Sequence, residues 1–244
     1  MKAILLAAGK GERLRSILKT IPKPMVKVYG KPILEHNIEW LKSYGITDLY
    51  INLHFLPEKI RNYFNNGRKW GVKINYSYEP ELLGTAGAVK KIARELWGWE
   101  SKNFSSDMGT FLVVYGDNLL KYNLKEIIDF HFQKKGIATI VLYEKDDVSQ
   151  SGIAVLSDKG RIIKFIEKPK AEDAISNLVN TGIYVLNSEI LSYIPDEGFT
   201  DFGNDIFPAI IKGRGDLYGF ISKGSLIAID TPELYKLVLE GAEL

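Results

Sequence analysis

The chain has 244 residues, of which 45% are apolar and 25% are charged, as in ordinary water-soluble globular proteins. Its 32 basic and 30 acidic residues give a net charge of +2, so we expect neither nucleic acid nor a membrane surface as a partner. The absence of cysteine excludes disulfide bonds, thiol catalysis and cysteine-bound metals. The N-terminal apolar run is too short for a signal peptide, and no apolar stretch could span a bilayer. We therefore predict a cytoplasmic protein.

The first part of the chain alternates short apolar segments with amphipathic ones. Apolar or alternating patterns predict strands over residues 3–8, 49–53, 72–78, 111–115 and 138–143. Helical spacing of apolar residues predicts helices over residues 33–44, from 57 to near 67, over 85–96 and over 124–132. This alternation is typical of an α/β fold with a mostly parallel, Rossmann-like sheet flanked by helices.

The pattern changes at about Gly152. Short strands are predicted over residues 153–156, 161–166 and 183–186, with a hairpin turn at residues 158–160. These strands favour a smaller, partly antiparallel lobe beside the main sheet. Further strands over residues 217–221 and 226–229, and a closing helix over 231–240, complete the chain. The sequence contains no linker, repeat or low-complexity tract, so we expect a single domain.

The first predicted strand ends in a glycine loop, Gly9-Lys10-Gly11, followed by Arg13. Glycines let backbone N–H groups approach a polyphosphate closely, because no Cβ stands in the way. Lys23 adds a cation in a loop that two flanking prolines make rigid. The dinucleotide fingerprint is excluded, because Leu14 occupies its third glycine position, and no P-loop pattern occurs here. Alone, the loop could be an ordinary turn; with its cations, it favours the binding of a nucleotide's phosphates.

Polar residues also follow several other predicted strands. Glu79 and the segment LGTAG (83–87) follow the strand over residues 72–78, Asp117 follows 111–115, and Asp230 follows 226–229. Ligands of open parallel sheets bind beyond the carboxyl ends of the strands, so we expect these groups to meet at one edge. Taken singly, Asp117 is also explained as a turn residue and Asp230 as a helix cap.

Seven segments resemble, in the same order, motifs of the sugar-1-phosphate nucleotidyltransferases, also called nucleotide-sugar pyrophosphorylases. They are LLAAGKGERLR (5–15), PKPM (22–25), GKP (30–32), LGTAG (83–87), GD (116–117), EKP (167–169) and DTPE (230–233). The chain is similar to the short members of this family, and most to the mannose- or heptose-1-phosphate guanylyltransferases. The resemblance implies a nucleotide-diphospho-sugar transferase fold in one domain, residues 1–244. Its nucleotide-binding part would cover about 1–120, its sugar-binding part about 121–230, and a closing helix 231–244.

The resemblance also implies a reaction, in which a nucleoside triphosphate and a sugar 1-phosphate give a nucleotide sugar and pyrophosphate. It implies Arg13 and Lys23 as catalytic residues, and Asp117 and Asp230 as ligands of Mg²⁺. The implied nucleotide-binding residues are Leu6, Ala7, Ala8, Gly9, Gly11, Glu79, Gly84 and Thr85. The implied sugar-phosphate-binding residues are Glu167, Lys168, Asn180, Thr181 and Gly182. A sugar phosphate has a second pKa of about 6 and is already a nucleophile at neutral pH, so no general base is expected.

The base and the sugar are predicted less directly. A carboxylate such as Glu79 or Glu81 suits the adjacent N–H donors of guanine, which favours guanylyl transfer to a mannose- or heptose-type sugar 1-phosphate. Uridylyl or thymidylyl transfer to a glucose-, GlcNAc- or MurNAc-type 1-phosphate is the alternative. A catalytically silent, nucleotide-sugar-binding regulatory subunit and a Rossmann-type oxidoreductase are alternatives from other classes. Whether the chain forms a homo-oligomer stays open.

Overall fold

The computed structural model describes residues 1–11, 14, 18, 20–99, 109–229, 231 and 235–236. The chain divides into two compact units. Unit 1 comprises Met1–Leu82, Val114–Lys121 and Ser225–Leu244, and unit 2 comprises Leu83–Val113 and Tyr122–Gly224. The functional division near residue 120 implied by the resemblance stays a prediction. No helix among the described residues is long and apolar enough to cross a membrane.

The described elements follow the predicted alternation closely. The strands are β1 (Lys2–Leu6), β2 (Lys27–Val28), β3 (Lys31–Pro32), β4 (Asp48–Leu53), β5 (Lys73–Tyr78), β6 (Thr110–Tyr115), β7 (Asn118–Lys121), β8 (Ala138–Glu144), β9 (Gly152–Leu156), β10 (Ile162–Glu167), β11 (Leu178–Asn187), β12 (Leu217–Ile221) and β13 (Ser225–Ala228). The helices are α1 (Ile33–Ser43), α2 (Pro57–Phe64), α3 (Gly84–Trp97), α4 (Leu124–Lys134) and α5 (Phe207–Lys212). An α/β fold class is therefore confirmed.

Unit 1 contains parallel strands in the order β1-β4-β5. The interior residues of β1 are fully buried, as continuous apolar strands require, and one buried face of α1 carries Ile33, Ile38 and Leu41. The end of β6 lies beside β1, because the Gly116 N–H donates to the Leu6 carbonyl at 2.9 Å. A Cβ at Gly116 would lie 3.0 Å from that oxygen, so glycine permits this close approach.

The last strand of unit 1 departs from the prediction. Residues 226–229 were expected to end at the edge of the open parallel sheet. Strand β13 instead pairs antiparallel with β7 in a separate two-stranded ribbon, with Leu226 opposite Leu120. The expectation of a strand in the parallel sheet was therefore wrong, but a meeting of its end with Asp117 is not contradicted, since Ala228 pairs with Asn118, the residue after Asp117. The predicted closing helix lies almost entirely outside the described residues, which include Tyr235 and Lys236 as helical.

Unit 2 carries the partly antiparallel arrangement that the short strands predicted. Its strands follow the order β10-β9-β11-β8-β12, in which β12 and β8 are parallel and the other pairs are antiparallel. The hairpin turn at residues 158–160 is confirmed, with the Gly160 N–H donating to the Ser157 carbonyl at 2.8 Å. Aromatic rings of Tyr184, Phe202 and Phe207 pack with centroids 5.2–5.4 Å apart in the core.

Candidate functional site

The residues after β1 are fixed by a buried network at the carboxyl ends of the unit 1 strands. The Ala7 N–H donates to Asn52 Oδ1 at 2.7 Å, and Asn52 Nδ2 donates to Glu79 Oε1 at 2.8 Å. Glu79 is only 1% exposed, and its N–H donates to the Leu53 carbonyl at 2.8 Å. The predicted nucleotide-binding residues Ala7 and Glu79 are therefore brought together through Asn52. Leu6 ends β1, and Ala8 is buried two residues further along.

Asn52 was missed by sequence reasoning. Its signal was an amide side chain inside the otherwise apolar end of strand β4, where an unpaired polar group would be costly. Both ends of that amide are used, one to hold the backbone of Ala7 and the other to orient the Glu79 carboxylate. Asn52 thus connects three neighbouring parallel strands at their carboxyl ends.

The glycine loop after β1 reverses direction at Gly11. Gly11 has a φ of +58°, in the left-handed region that favours glycine, and its carbonyl accepts from the Leu14 N–H at 2.9 Å. A Cβ at Gly11 would lie 3.5 Å from the Lys23 Cβ, so this turn lies directly beside Lys23. At Gly9, a Cβ would have no heavy atom of the described residues within 4 Å, so its neighbourhood there is open.

Lys23 and Asp117 meet as an ion pair. Lys23 Nζ donates to Asp117 Oδ2 at 2.8 Å, although the residues lie 94 positions apart in the chain. Lys23 is 8% exposed, on a short 3₁₀ turn that follows Pro22, whereas the Asp117 side chain is 31% exposed, just after β6 and Gly116. The structure therefore brings a buried cation and a partly exposed carboxylate together beside the Gly11 turn. The predicted partners Arg13 and Asp230 lie outside the described residues.

In unit 2, the Glu167 carboxylate lies in a slot between two glycines. A Cβ at either Gly152 or Gly203 would lie 2.5 Å from Glu167 Oε2. Burial raises the pKa of Glu167; the charge of neighbouring Lys168 acts against that rise, and the charge of Asp201 adds to it. Lys168 itself has a φ of +47°, and its N–H donates to the Ser151 carbonyl at 3.1 Å. The EKP segment is therefore a folded corner with a half-buried carboxylate.

The start of α3 is also in unit 2, where its backbone donors have partners within the protein. The Thr85 N–H and hydroxyl both donate to Asp201 Oδ1 at 2.9 Å. The N–H groups of Ala86 and Gly87 donate to the Thr200 carbonyl at 2.9 and 3.1 Å. Gly84, which begins the helix, has a φ of +76°. Asp201 was not predicted as a site residue.

The remaining predicted sugar-binding residues form a bulge in β11. Asn180 Nδ2 donates to the Tyr184 hydroxyl at 2.7 Å, and its Oδ1 accepts from the Gly182 N–H at 2.9 Å. The hydroxyl of buried Thr181 donates to the Val141 carbonyl at 2.9 Å. The pairing register with β8 shifts between Asn180 and Tyr184, which produces the bulge.

A sequence model of the family described as nucleotidyl transferase matches residues 2–227. The chain belongs to this family. The resemblance that the motifs gave is thereby confirmed.

Relatives of this family member differ in their named substrates. UTP–glucose-1-phosphate uridylyltransferase of Synechocystis sp. is 40% identical over 229 residues, covering 89% of this chain and 57% of that protein. Mannose-1-phosphate guanylyltransferase 1 of Arabidopsis thaliana is 35% identical over 237 residues, covering 96% of this chain and 63% of that protein. The chain thus spans about 57–63% of the length of these relatives.

Among solved structures, HddC from Yersinia pseudotuberculosis complexed with GMP-PN is similar to this nucleotidyl transferase family member. It has a TM-score of 0.77 and 27% sequence identity, and the match covers 98% of both chains. This likeness extends over nearly the entire chain, including both compact units.

Proposed function

We propose that the chain is a sugar-1-phosphate nucleotidyltransferase. A phosphate oxygen of the sugar 1-phosphate attacks the α-phosphorus of a nucleoside triphosphate. The new P–O bond forms as the bond to the β-phosphate breaks, and pyrophosphate leaves with the electron pair. The observation that carries this proposal is the 2.8 Å pair of Lys23 and Asp117 beside the Gly11 turn. The named activities of the relatives support it.

The chemical demand of this reaction is the suppression of repulsion between two phosphorylated reactants. Two like charges about 4 Å apart repel by about 4 kcal/mol at an effective dielectric constant of about 20. Lys23 would neutralise charge that develops at the α-phosphate, and Arg13 would hold the leaving phosphates with the backbone N–H groups of the Gly9–Gly11 loop. Catalysis would then consist of charge neutralisation and in-line positioning.

The histidine side chains support a mechanism without a general base. His36 Nε2 bonds to the Val28 carbonyl, and His54 Nδ1 to the Glu79 carbonyl, each at 2.8 Å. His131 is buried between Thr139 and Asn187, and burial lowers its pKa. Each ring is thus held by a contact within the protein, and the proposed mechanism asks no general base of it, because the phosphate dianion is itself the nucleophile.

The residues present fit a magnesium ion at Asp117. Mg²⁺ prefers carboxylate oxygens together with substrate phosphates and water, and the Asp117 carboxylate is partly exposed. Asp117 would hold the ion with Asp230, and the bound ion would supply additional positive charge to the triphosphate. Because Lys23 contacts Asp117 directly, it limits the rotation of this carboxylate.

We assign the sugar phosphate to unit 2. Lys168 would neutralise its phosphate, and the half-buried Glu167 carboxylate would accept hydrogen bonds from sugar hydroxyls. Asn180, Thr181 and Gly182 would complete the sugar pocket from the β11 bulge, while Gly84 and Thr85 at the start of α3 would contact the nucleotide.

For the base, we favour guanine and a mannose- or heptose-type sugar. Guanine presents adjacent N–H donors that one carboxylate can accept, and the segment after β5 offers two: Glu79, which is buried and held in a fixed orientation by Asn52, and the exposed Glu81. The complex of HddC with GMP-PN and the guanylyltransferase relative support this choice. Uridylyl transfer to glucose 1-phosphate is the second candidate, because the uridylyltransferase of Synechocystis is 40% identical.

Glu79→Gln tests the choice of base. We expect the variant to lose about tenfold or more of its preference for GTP over UTP, since one carboxylate acceptor becomes an amide N–H donor. The measurement is the ratio of kcat/KM for the two triphosphates, with Asn52→Asp as a comparison that disturbs the same network from the other side. An unchanged ratio in Glu79→Gln would leave Glu79 as a support for Asn52 and remove it from base recognition.

Pyrophosphate release tests the reaction itself. The wild-type protein with Mg²⁺ is supplied with each of four triphosphates and a panel of sugar 1-phosphates, and release is followed by a coupled assay. Release with GTP and mannose 1-phosphate is expected. Release only with UTP and glucose 1-phosphate would establish the second candidate. Silence with every pair, but binding of a nucleotide sugar, would identify a regulatory subunit instead.

A further inference from the structure

Residues 200–203, here named the bridging segment, contact two parts of unit 2 that the motifs treat as separate. One contact is with the start of α3, and the other is with the Glu167 carboxylate. Its last two residues begin a π-helix over Phe202–Ile206, and α5 follows directly. None of its residues was predicted to belong to the site.

Towards α3, the bridging segment binds the backbone of the first helical turn. The Thr200 N–H donates to the Leu83 carbonyl at 2.8 Å, and the Thr200 carbonyl accepts from Ala86 and Gly87. Asp201 Oδ1 accepts from both the N–H and the hydroxyl of Thr85, and that hydroxyl oxygen accepts in turn from the Phe202 N–H at 2.9 Å. Rotation of the Thr85 side chain would therefore break hydrogen bonds to this segment.

Towards Glu167, the bridging segment supplies space and charge. Gly203 leaves room for the carboxylate, since a Cβ there would lie 2.5 Å from Glu167 Oε2 and 3.2 Å from a Phe165 ring carbon. Asp201 acts on the same carboxylate through its negative charge, which adds to the rise that burial gives to the pKa of Glu167, while the larger effect of Lys168 opposes that rise. The segment thus limits where the Glu167 carboxylate lies and how readily it ionises.

We propose that Asp201 and Gly203 are positioning residues, which keep the Glu167 carboxylate in place for the hydroxyls of the sugar 1-phosphate, while Asp201 also holds Thr85 in place for the nucleotide. This inference rests on the proposed function. Asp201 acts through Thr85 and through its charge, whereas Gly203 acts by having no side chain. The competing explanation is that the bridging segment only stabilises the fold of unit 2.

Gly203→Ala separates these explanations. The added Cβ must displace the end of the flexible Glu167 side chain, so we expect KM for the sugar 1-phosphate to rise about tenfold, the worth of one hydrogen bond to a charged group. KM for the triphosphate and Tm should change little. Gly213→Ala is the matched control, because its Cβ would make an ordinary 3.4 Å contact with the Ala209 carbonyl. An unchanged sugar-phosphate KM in Gly203→Ala would overturn the role of Gly203.

Asp201→Asn tests the charge while keeping an oxygen that can accept from Thr85. Lys168 from the same corner and Asp201 from the bridging segment are the charges that act on Glu167, and removing the second lowers the pKa of Glu167. We expect the acid limb of the pH profile of kcat/KM for the sugar 1-phosphate to move to lower pH, because the Glu167 carboxylate stays ionised to lower pH in the variant. The titration of the sugar phosphate is the same for both proteins, so the difference reports on the protein.

Asp205→Asn is the control for this second variant. Asp205 also lies in this region, and its Oδ2 accepts from the Asp201 N–H at 2.7 Å, but it is exposed and acts only on the backbone. We expect its pH profile to match the wild type. Asp201→Asn and Asp205→Asn could lower Tm equally and raise both KM values equally. That result would show a purely structural segment and overturn the inference. If Gly203→Ala fails to fold, the pH profile of Asp201→Asn decides. If the wild-type protein released no pyrophosphate with any substrate pair, that result would contradict the proposed function itself, before this inference is tested.

Discussion

Lys23→Met is expected to lower kcat/KM for nucleotidyl transfer by about 10²–10³-fold, as when a charge-stabilising donor is removed from other enzymes. Methionine keeps the length of an unbranched side chain but carries no charge. The effect is large because Lys23 is 8% exposed beside the Gly11 turn, where water is a poor substitute for its ammonium group. The measurement is steady-state pyrophosphate release with saturating and subsaturating triphosphate.

The stability of Lys23→Met should change far less than its activity. The Asp117 carboxylate that loses its partner is 31% exposed, so water can solvate it in the variant. Lys125→Met is the matched control, since Lys125 forms an exposed ion pair with Asp129 one helical turn away on α4. Similar activities of the two variants would remove Lys23 from catalysis. A fall in activity that follows the fraction of unfolded Lys23→Met protein would make Lys23 a structural residue.

Elements with a clear hydrophobic period were predicted almost to the residue. Helix α1 covers Ile33–Ser43 against a predicted 33–44, because its buried face repeats at helical spacing and Gly45 ends it. Strand β1 was predicted to reach Ala8 but ends at Leu6. The reason is that the Ala7 N–H bonds to a side chain 45 positions away, and no local pattern reveals such a partner.

Elements without a simple period were missed. Strand β11 was predicted only over 183–186, since Asn180, Thr181 and Gly182 interrupt the apolar pattern and sit at a register shift, yet it covers Leu178–Asn187. The π-helix over Phe202–Ile206 has no helical 3.6-residue period to detect. Its local geometry depends on contacts with α3 and Glu167 that lie far away in the chain.

The same distinction between local and distant signals applies to the residues of the candidate site. Lys23 and Asp117 could be named from their own short segments, because paired prolines and a strand-glycine-aspartate sequence are local signals. The roles of Asn52 and Asp201 could not be predicted in this way, because each role is defined by the distant groups that the residue holds. Asn52 holds Ala7 and Glu79, and Asp201 holds Thr85. Short-segment patterns identify a residue by its neighbours in the chain and give little sign of contacts made with distant residues.

Gly84→Ala is expected to destabilise unit 2 through both backbone strain and a steric clash. Gly84 has a φ of +76°, which costs a residue with a Cβ about 1–2 kcal/mol. The Cβ would also lie 2.4 Å from the Thr200 carbonyl oxygen and 2.7 Å from its carbon, which are backbone atoms that no side-chain rotation can move. A total of about 3 kcal/mol or more is expected, which lowers Tm by about 6–12 °C in a domain of this size.

Gly160→Ala isolates the steric part of this effect. Gly160 has the same φ of +76° and lies in the same unit, but a Cβ there would approach nothing closer than the Gly219 carbonyl at 3.8 Å among the described residues. The free energy of unfolding of Gly160→Ala should therefore fall only by the conformational cost of the positive φ, about 1–2 kcal/mol. Equal shifts of Tm in the two variants would mean that the bridging segment yields to the added Cβ. In that case α3 would not be held against residue 200 tightly enough to fix Thr85. A difference in Tm of several degrees between the two variants would instead demonstrate the rigid backbone contact on which the position of Thr85 depends.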